Sequence, residues 1–266
     1  MDILQFDFMQ NALMAGLLAS IICGMIGTLV VVNRIVFISG GIAHASYGGV
    51  GLAFFLGLPV LPVTTAFTLL AALVMAKVTL HARERADTVI GVIWAAGMAL
   101  GIILLDLTPG YNVDLMSYLF GSILAVPRSD IWIMAGLACV VFLAVVAFYR
   151  GFLVMSFDEE FARSRGVPVD FLYFLLISMV GLSVVMIIRV VGLILVIALL
   201  TIPPFIAERR TRSLDAMMIL STLLSAFFTV VGLFVSYLTN ITSGASIIAV
   251  AAVCFFLSFL LPGERS

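Results

Sequence analysis

The sequence predicts an all-α polytopic membrane protein, and three observations carry that expectation. Hydrophobic residues make up 64% of the 266 and charged residues only 10%, against roughly 25% charged in soluble domains. The mean hydropathy is +1.31. Third, the 42 residues from Ile35 to Ala76 contain no charge at all. About 20 apolar residues cross the hydrocarbon core as a helix, so this run reads as two crossings joined by a turn. The net charge of −1 says nothing about partners; the placement of the charges does.

The elements follow in chain order. Asp2 and Asp7 precede the first apolar stretch without a basic residue, which a cleavable signal peptide would carry, so span one, 8–33, is expected to be retained. Span two holds His44 and closes at Gly57-Leu58-Pro59 and Pro62. Span three runs from Val63 to Leu80 and ends in KVTLHARERAD, and span four runs from Thr88 to Leu105. The apolar stretch 115–127 is too short for an ordinary crossing. Span five, 131–149, ends at Tyr149-Arg150, and the longest polar segment, 150–170, follows. Spans 171–188 and 190–207 are split by Arg189. Residues 216–263 form a last double crossing turned at 239–246. A single transmembrane domain covers 1–266, with no linker and no repeat of fixed period.

Basic residues favour the cytoplasmic side of short loops. Arg34, the Lys77–Arg85 cluster, Arg150 to Arg165, Arg209 to Arg212 and Arg265 all lie inside if the N-terminus is outside and the chain crosses nine times. In that arrangement 111–127 enters the membrane and returns without spanning it, and the C-terminus is cytoplasmic. A count of eight to nine spans is therefore expected. Arg128 and Arg189 are the exceptions.

His44 is the residue the membrane makes expensive. At ~1.5 Å per residue it lies roughly 13 Å from Ile35, near mid-membrane. An imidazole there lines a polar path or has a partner. Gly40, Gly41, Gly48 and Gly51 neighbour or continue its helical face, and Tyr47 adds a hydroxyl. Glycines permit close backbone approach, which suits tight helix packing or a narrow lumen beside the histidine.

On the predicted cytoplasmic side, Asp158–Gly166 reads as a short amphipathic helix. Asp158 is placed to cap it, Glu159 and Glu160 favour its positive end, Arg163 pairs four residues after Glu159, and Gly166 stops it. Phe161 leaves an apolar knob on a polar loop, a docking feature unless the loop is a plain solvated connector.

Other residues carry less. Lys77 is the sole lysine and no GxxxxGK[ST] occurs, so the chain cannot itself hold nucleotide phosphates in the P-loop manner. No HExxH or GxSxG appears, and no enzymatic chemistry is expected. Asp106 and Asp114 flank an outer turn as solvated carboxylates, Asp87 is expected to cap span four, and His81 belongs to a charged loop. Met98 and Met116 are soft groups among 13 methionines. Cys23, Cys139 and Cys254 read as small hydrophobes rather than metal or disulfide partners.

IAHASYGGVGLAFFLG, VIGVIWAAGMALGI, YNVDLMSYLFGSILAV and RVVGLILVIALLTIPPFIAERR, in this order over nearly the whole chain, resemble the permease subunits of bacterial ABC importers for zinc, manganese or iron. The resemblance implies a multi-pass protein of the bacterial cytoplasmic (inner) membrane, paired as a homodimer and surrounded by lipid. A separate cytoplasmic ABC ATPase and an extracytoplasmic metal-binding donor protein would be its partners, with no nucleic acid. It implies that Asp158–Gly166 is the helix that couples to the ATPase. It also implies that no cofactor is bound beyond the transported divalent metal ion, zinc or manganese first and iron next. His44 matches the family's intramembrane histidine, but the aspartate the family carries four residues earlier is Gly40 here. A second ligand must then come from elsewhere, such as Tyr47 or Asp114, or the cargo is a chelate or is held mainly by the donor. The competing class is an ion-coupled secondary carrier without an ATPase; a purely structural membrane partner is disfavoured by His44.

Overall fold

The computed structural model describes residues 6–81, 85–109, 121 and 123–260. These form ten α-helices: α1 (Asp7–Val32), α2 (Val36–Leu56), α3 (Val60–His81), α4 (Ala86–Asp106), α5 (Arg128–Phe157), α6 (Glu159–Ser164), α7 (Val169–Val191), α8 (Leu193–Glu208), α9 (Leu214–Thr239) and α10 (Ser243–Leu260). A 3-10 turn at Ile123–Ala125 precedes α5. The all-helical, many-span expectation holds.

Seven of the ten helices are long and apolar enough to cross a membrane: α1, α3, α4, α5, α7, α9 and α10. Helix α2 has the length, 21 residues, but His44, Tyr47, two serines and five glycines dilute its apolar content. Helix α8 is apolar but only 16 residues long. Besides the six-residue α6, the helices outside the seven are thus the one carrying the candidate site and the one carrying the internal pair Pro203-Pro204.

Several predicted boundaries move, each for a local reason. Helix α5 is 30 residues long and passes through Tyr149 and Arg150, where the charge pattern placed its end. Charge marks the membrane surface, not the end of a helix; α5 stops at Asp158, whose backbone is extended (φ −153°). The polar connector accordingly shrinks from 150–170 to 158–168. The break between α7 and α8 falls at Gly192, not at Arg189. Gly192 has φ +85°, a conformation that residues with a Cβ rarely adopt, whereas arginine is a good helix former. Asp87 does not cap α4: it sits in the first turn, and no side chain caps that terminus. Among the cysteines Cys23 is buried, but Cys139 is exposed on α5.

Two groups of helices share the core. Helix α1 is buried among α5, α8 and α9, and α2 lies between α3 and α4 with α7 against both α2 and α3. At the end where α1 begins, the Asn11 amide donates to the Val126 carbonyl at 3.2 Å. There Arg128 reaches Asp7 at 3.1 Å, and Arg189 reaches the buried Asp130 at 2.9 Å. Both arginines that depart from the charge pattern therefore have an acidic partner at one end of the molecule. Residues 110–120 and 122, most of the predicted entering-and-returning segment with Asp114 and Met116, lie outside the described residues.

Candidate functional site

Helices α2 and α4 run in the same direction and touch backbone to backbone. A Cβ built on Gly97 would lie 2.8 Å from the Ala45 Cα, and one on Gly48 would lie 2.7 Å from the Phe67 ring and 2.9 Å from the Gly97 carbonyl oxygen. Gly51 meets Gly101 in the same way. Of the two uses the sequence left open for these glycines, Gly48 and Gly51 serve close packing. Tyr47 is likewise packed, 2% exposed, with its ring edge against Gly101.

Gly40 differs. It lies one turn before His44 on the same helical face, and a Cβ there would meet nothing within 4 Å. Gly91, on the neighbouring turn of α4, also faces open space. The close approach at Gly97 brings His44 against Trp94: the two rings stack with centroids 4.0 Å apart and planes 12° from parallel. The indole N–H donates to the Met98 sulfur at 3.2 Å, and the Phe37 ring lies 6.1 Å from the indole on another side. His44 is half-buried; its Nδ1 is buried without a hydrogen-bond partner. Among the described residues no three His, Cys, Asp or Glu side chains gather as a metal site, so His44 is a single imidazole beside space rather than a cage.

Phe37 also lines a cavity of about 280 Å³ at the opposite end from Asp130, together with Asn33, Arg34, Asp87, Glu159 and Tyr173. Asp87 and Glu159 give this hollow two carboxylates. Sequence reasoning did not connect Asp87, Phe37 and Trp94 with His44. The available signal was one of only two tryptophans standing inside an apolar span, away from the interfacial belts where tryptophan collects.

The short helix α6 borders that cavity and matches its expected design. The Asp158 carboxylate accepts from the Phe161 N–H at 2.9 Å, Glu159 and Glu160 occupy the first turn, and Gly166 (φ +77°) closes it. Arg163 pairs with Glu159 at 3.0 Å and with Asp170. Solvent screens exposed pairs of this kind to little net stabilisation, so the Asp158 cap and the fully buried Ala162 hold the helix more firmly. Phe157 and Phe161 project from this surface, 92% and 54% exposed.

Comparison with known proteins places this architecture. A model of the ABC 3 transport family matches residues 5–262. The chain is 49% identical over 255 residues to an uncharacterized membrane protein of Synechocystis sp., covering 96% of this chain and 91% of that one. It is 35% identical over 263 residues to the manganese transport system membrane protein MntC of Listeria monocytogenes, covering 99% and 94%. Among solved structures, PsaBC from Streptococcus pneumoniae in complex with Fab superposes with a TM-score of 0.88 at 34% identity, covering 98% of this chain and 94% of that one. Sequence, helix order and three-dimensional arrangement agree over nearly the full length, and the chain belongs to the ABC 3 transport family.

Proposed function

We propose that the chain is the membrane-spanning permease subunit of an ATP-driven importer of divalent metal ions, with manganese the leading cargo and zinc and iron after it. Family membership favours this over the ion-coupled carrier. The manganese assignment rests on the relatives named as manganese permeases; the mechanism rests on one observation, the His44 imidazole beside open space within an otherwise apolar helix layer. A neutral imidazole with no carboxylate at Gly40 is a weak ligand. Weak binding suits an ion that must leave as readily as it enters, and a hard ion such as manganese gains the rest of its coordination from oxygen ligands. Tyr47 and Asp114 remain the proposed further groups.

In this proposal the chain crosses the membrane nine times, with α2 and α8 added to the seven apolar spans, and 111–127 enters and returns on the outer side. The N-terminus is outside and the C-terminus cytoplasmic. Two copies face each other across the α2–α4 surface, where Gly91, Ala95 and Ala99 repeat at the four-residue spacing that lets membrane helices approach closely. A donor protein delivers the ion at the end bearing Asp7, Arg128, Asp130 and Arg189. An ATPase docks on α6, burying Phe157 and Phe161, and its closure opens the inner hollow lined by Asp87 and Glu159.

The test is ATP-driven uptake of labelled manganese, zinc and iron by vesicles holding the permease with its ATPase and donor protein. His44→Ala is expected to lower the initial rate of manganese uptake at least tenfold with membrane insertion and ATPase association intact. Unchanged uptake by that variant would remove His44 from the pathway.

A further inference from the structure

We propose that Trp94 is a positioning residue of the ion pathway, holding the His44 imidazole in the orientation that meets the cargo; this rests on the proposal that His44 contacts the ion. A metal-binding imidazole ordinarily has its ring fixed by its second nitrogen, which donates to a carboxylate, a carbonyl or water. His44 lacks that device: its Nδ1 is buried and makes no hydrogen bond. The torsion that turns an imidazole is broad and two-fold, so something else must hold the ring plane. The indole of Trp94, stacked at 4.0 Å and 12° from parallel, is positioned to do so.

The indole is itself held. Its N–H reaches the Met98 sulfur one turn along α4, and Phe37 of α2 bears on it at 6.1 Å. The separation between the two rings is set by backbone contact, because Gly97 and Ala45 bring α4 and α2 together immediately beside the stack. The location is also unusual for tryptophan. Trp94 stands eight residues into α4, about 12 Å along the helix axis, past the interface where aromatic belts form. The other tryptophan, Trp132, sits at the start of α5 and is 78% exposed, as a belt residue would be.

The consequence is a distinctive kinetic signature. In the reconstituted complex, Trp94→Leu is expected to raise the manganese concentration for half-maximal uptake about tenfold and to change the maximal rate less. Trp94→Phe, which keeps an aromatic face and loses the N–H, is expected to stay within about threefold of the parent. In the His44→Ala background, Trp94→Leu should add no further change, because a positioning residue acts only through what it positions.

A second readout does not depend on transport. Cobalt(II), added to the detergent-solubilised complex, should quench the part of the tryptophan emission that Trp94→Phe removes, and His44→Ala should abolish that quenching. Parent-like uptake kinetics for Trp94→Leu alongside a defective His44→Ala would overturn the positioning role and leave His44 in place. A Trp94→Leu defect that persists in full on the His44→Ala background would overturn it too, marking Trp94 as an independent packing residue. Parent-like behaviour of His44→Ala itself would instead remove the reading on which both depend.

Discussion

Two helix contacts in this molecule use the same small and hydroxylated residues to opposite ends. Where α1 meets α9, Gly24 lets the Thr222 backbone approach, and a Cβ there would lie 2.6 Å from the Thr222 Cα. Four hydroxyls of that seam are matched, although Ser225, one turn from both Ser221 and Thr229 on α9, is buried without a hydrogen-bond partner among the described residues: Thr28 donates to the Gly24 carbonyl at 2.7 Å and lies 3.1 Å from the Ser221 hydroxyl, while Ser20 donates to the Gly16 carbonyl and lies 3.4 Å from Thr229. Thr28, Ser221, Ser20 and Thr229 are all buried. Where α2 meets α4, glycines again bring backbones together at Gly97 and Gly48, but about two turns away the face opens at Gly40 and Gly91. The polar group left there, His44, is half-buried with an unsatisfied nitrogen. The first contact is a sealed joint and the second a joint beside open space. Small residues do not distinguish them; the difference lies in whether another helix covers the polar group.

Substitutions at the two contacts sharpen that distinction. The largest effect is expected at Gly97→Val, because the atoms a side chain would strike, the Ala45 Cα and carbonyl oxygen, are backbone and cannot rotate away. Overpacking of this kind costs about 1–3 kcal/mol, and Gly97→Val should fall at the upper end, visible as a lowered melting temperature in detergent and as lost uptake when the rings separate. A fully stable, active variant would show that α2 and α4 are not held at this distance.

Thr28→Val comes next. It removes one hydroxyl from the sealed seam without changing shape, and hydrogen bonds between membrane helices average about 0.6 kcal/mol with a maximum near 1.7. A modest loss of thermal stability with unchanged uptake per folded molecule is expected. A change in metal selectivity would instead place the α1–α9 seam on the pathway. The smallest effect belongs to Gly40→Ala. A methyl group there meets nothing, so stability should stay within about 0.5 kcal/mol of the parent. A large destabilisation, measured by the same melt, would mean that the space beside His44 is filled in the assembled protein.

Much of this molecule was readable before any coordinates. The apolar runs placed the helices, and Asp158, Glu159, Arg163 and Gly166 announced the cap, the pair and the stop of α6, because each acts on residues three or four positions away. What failed was everything that required knowing a distant partner. Arg189 looked like a break because a charge in an apolar run has no visible reason to stay helical, and its reason is Asp130, 59 positions earlier in the chain. Tyr149 and Arg150 looked like an end because charge reports where water begins, and α5 continues past that level. Gly48 and Gly51 could not be told from Gly40 in a row of letters.

Local hydropathy alone set the class of protein and the approximate helices, and the cost of placing a polar ring in hydrocarbon singled out His44 within its apolar run. The tertiary structure alone decided which glycine borders space, which ring stacks on His44 and which acid receives Arg189. Those outcomes depend on how α2, α4, α5 and α7 lie against one another, and contacts between residues far apart in the chain are set by packing in three dimensions.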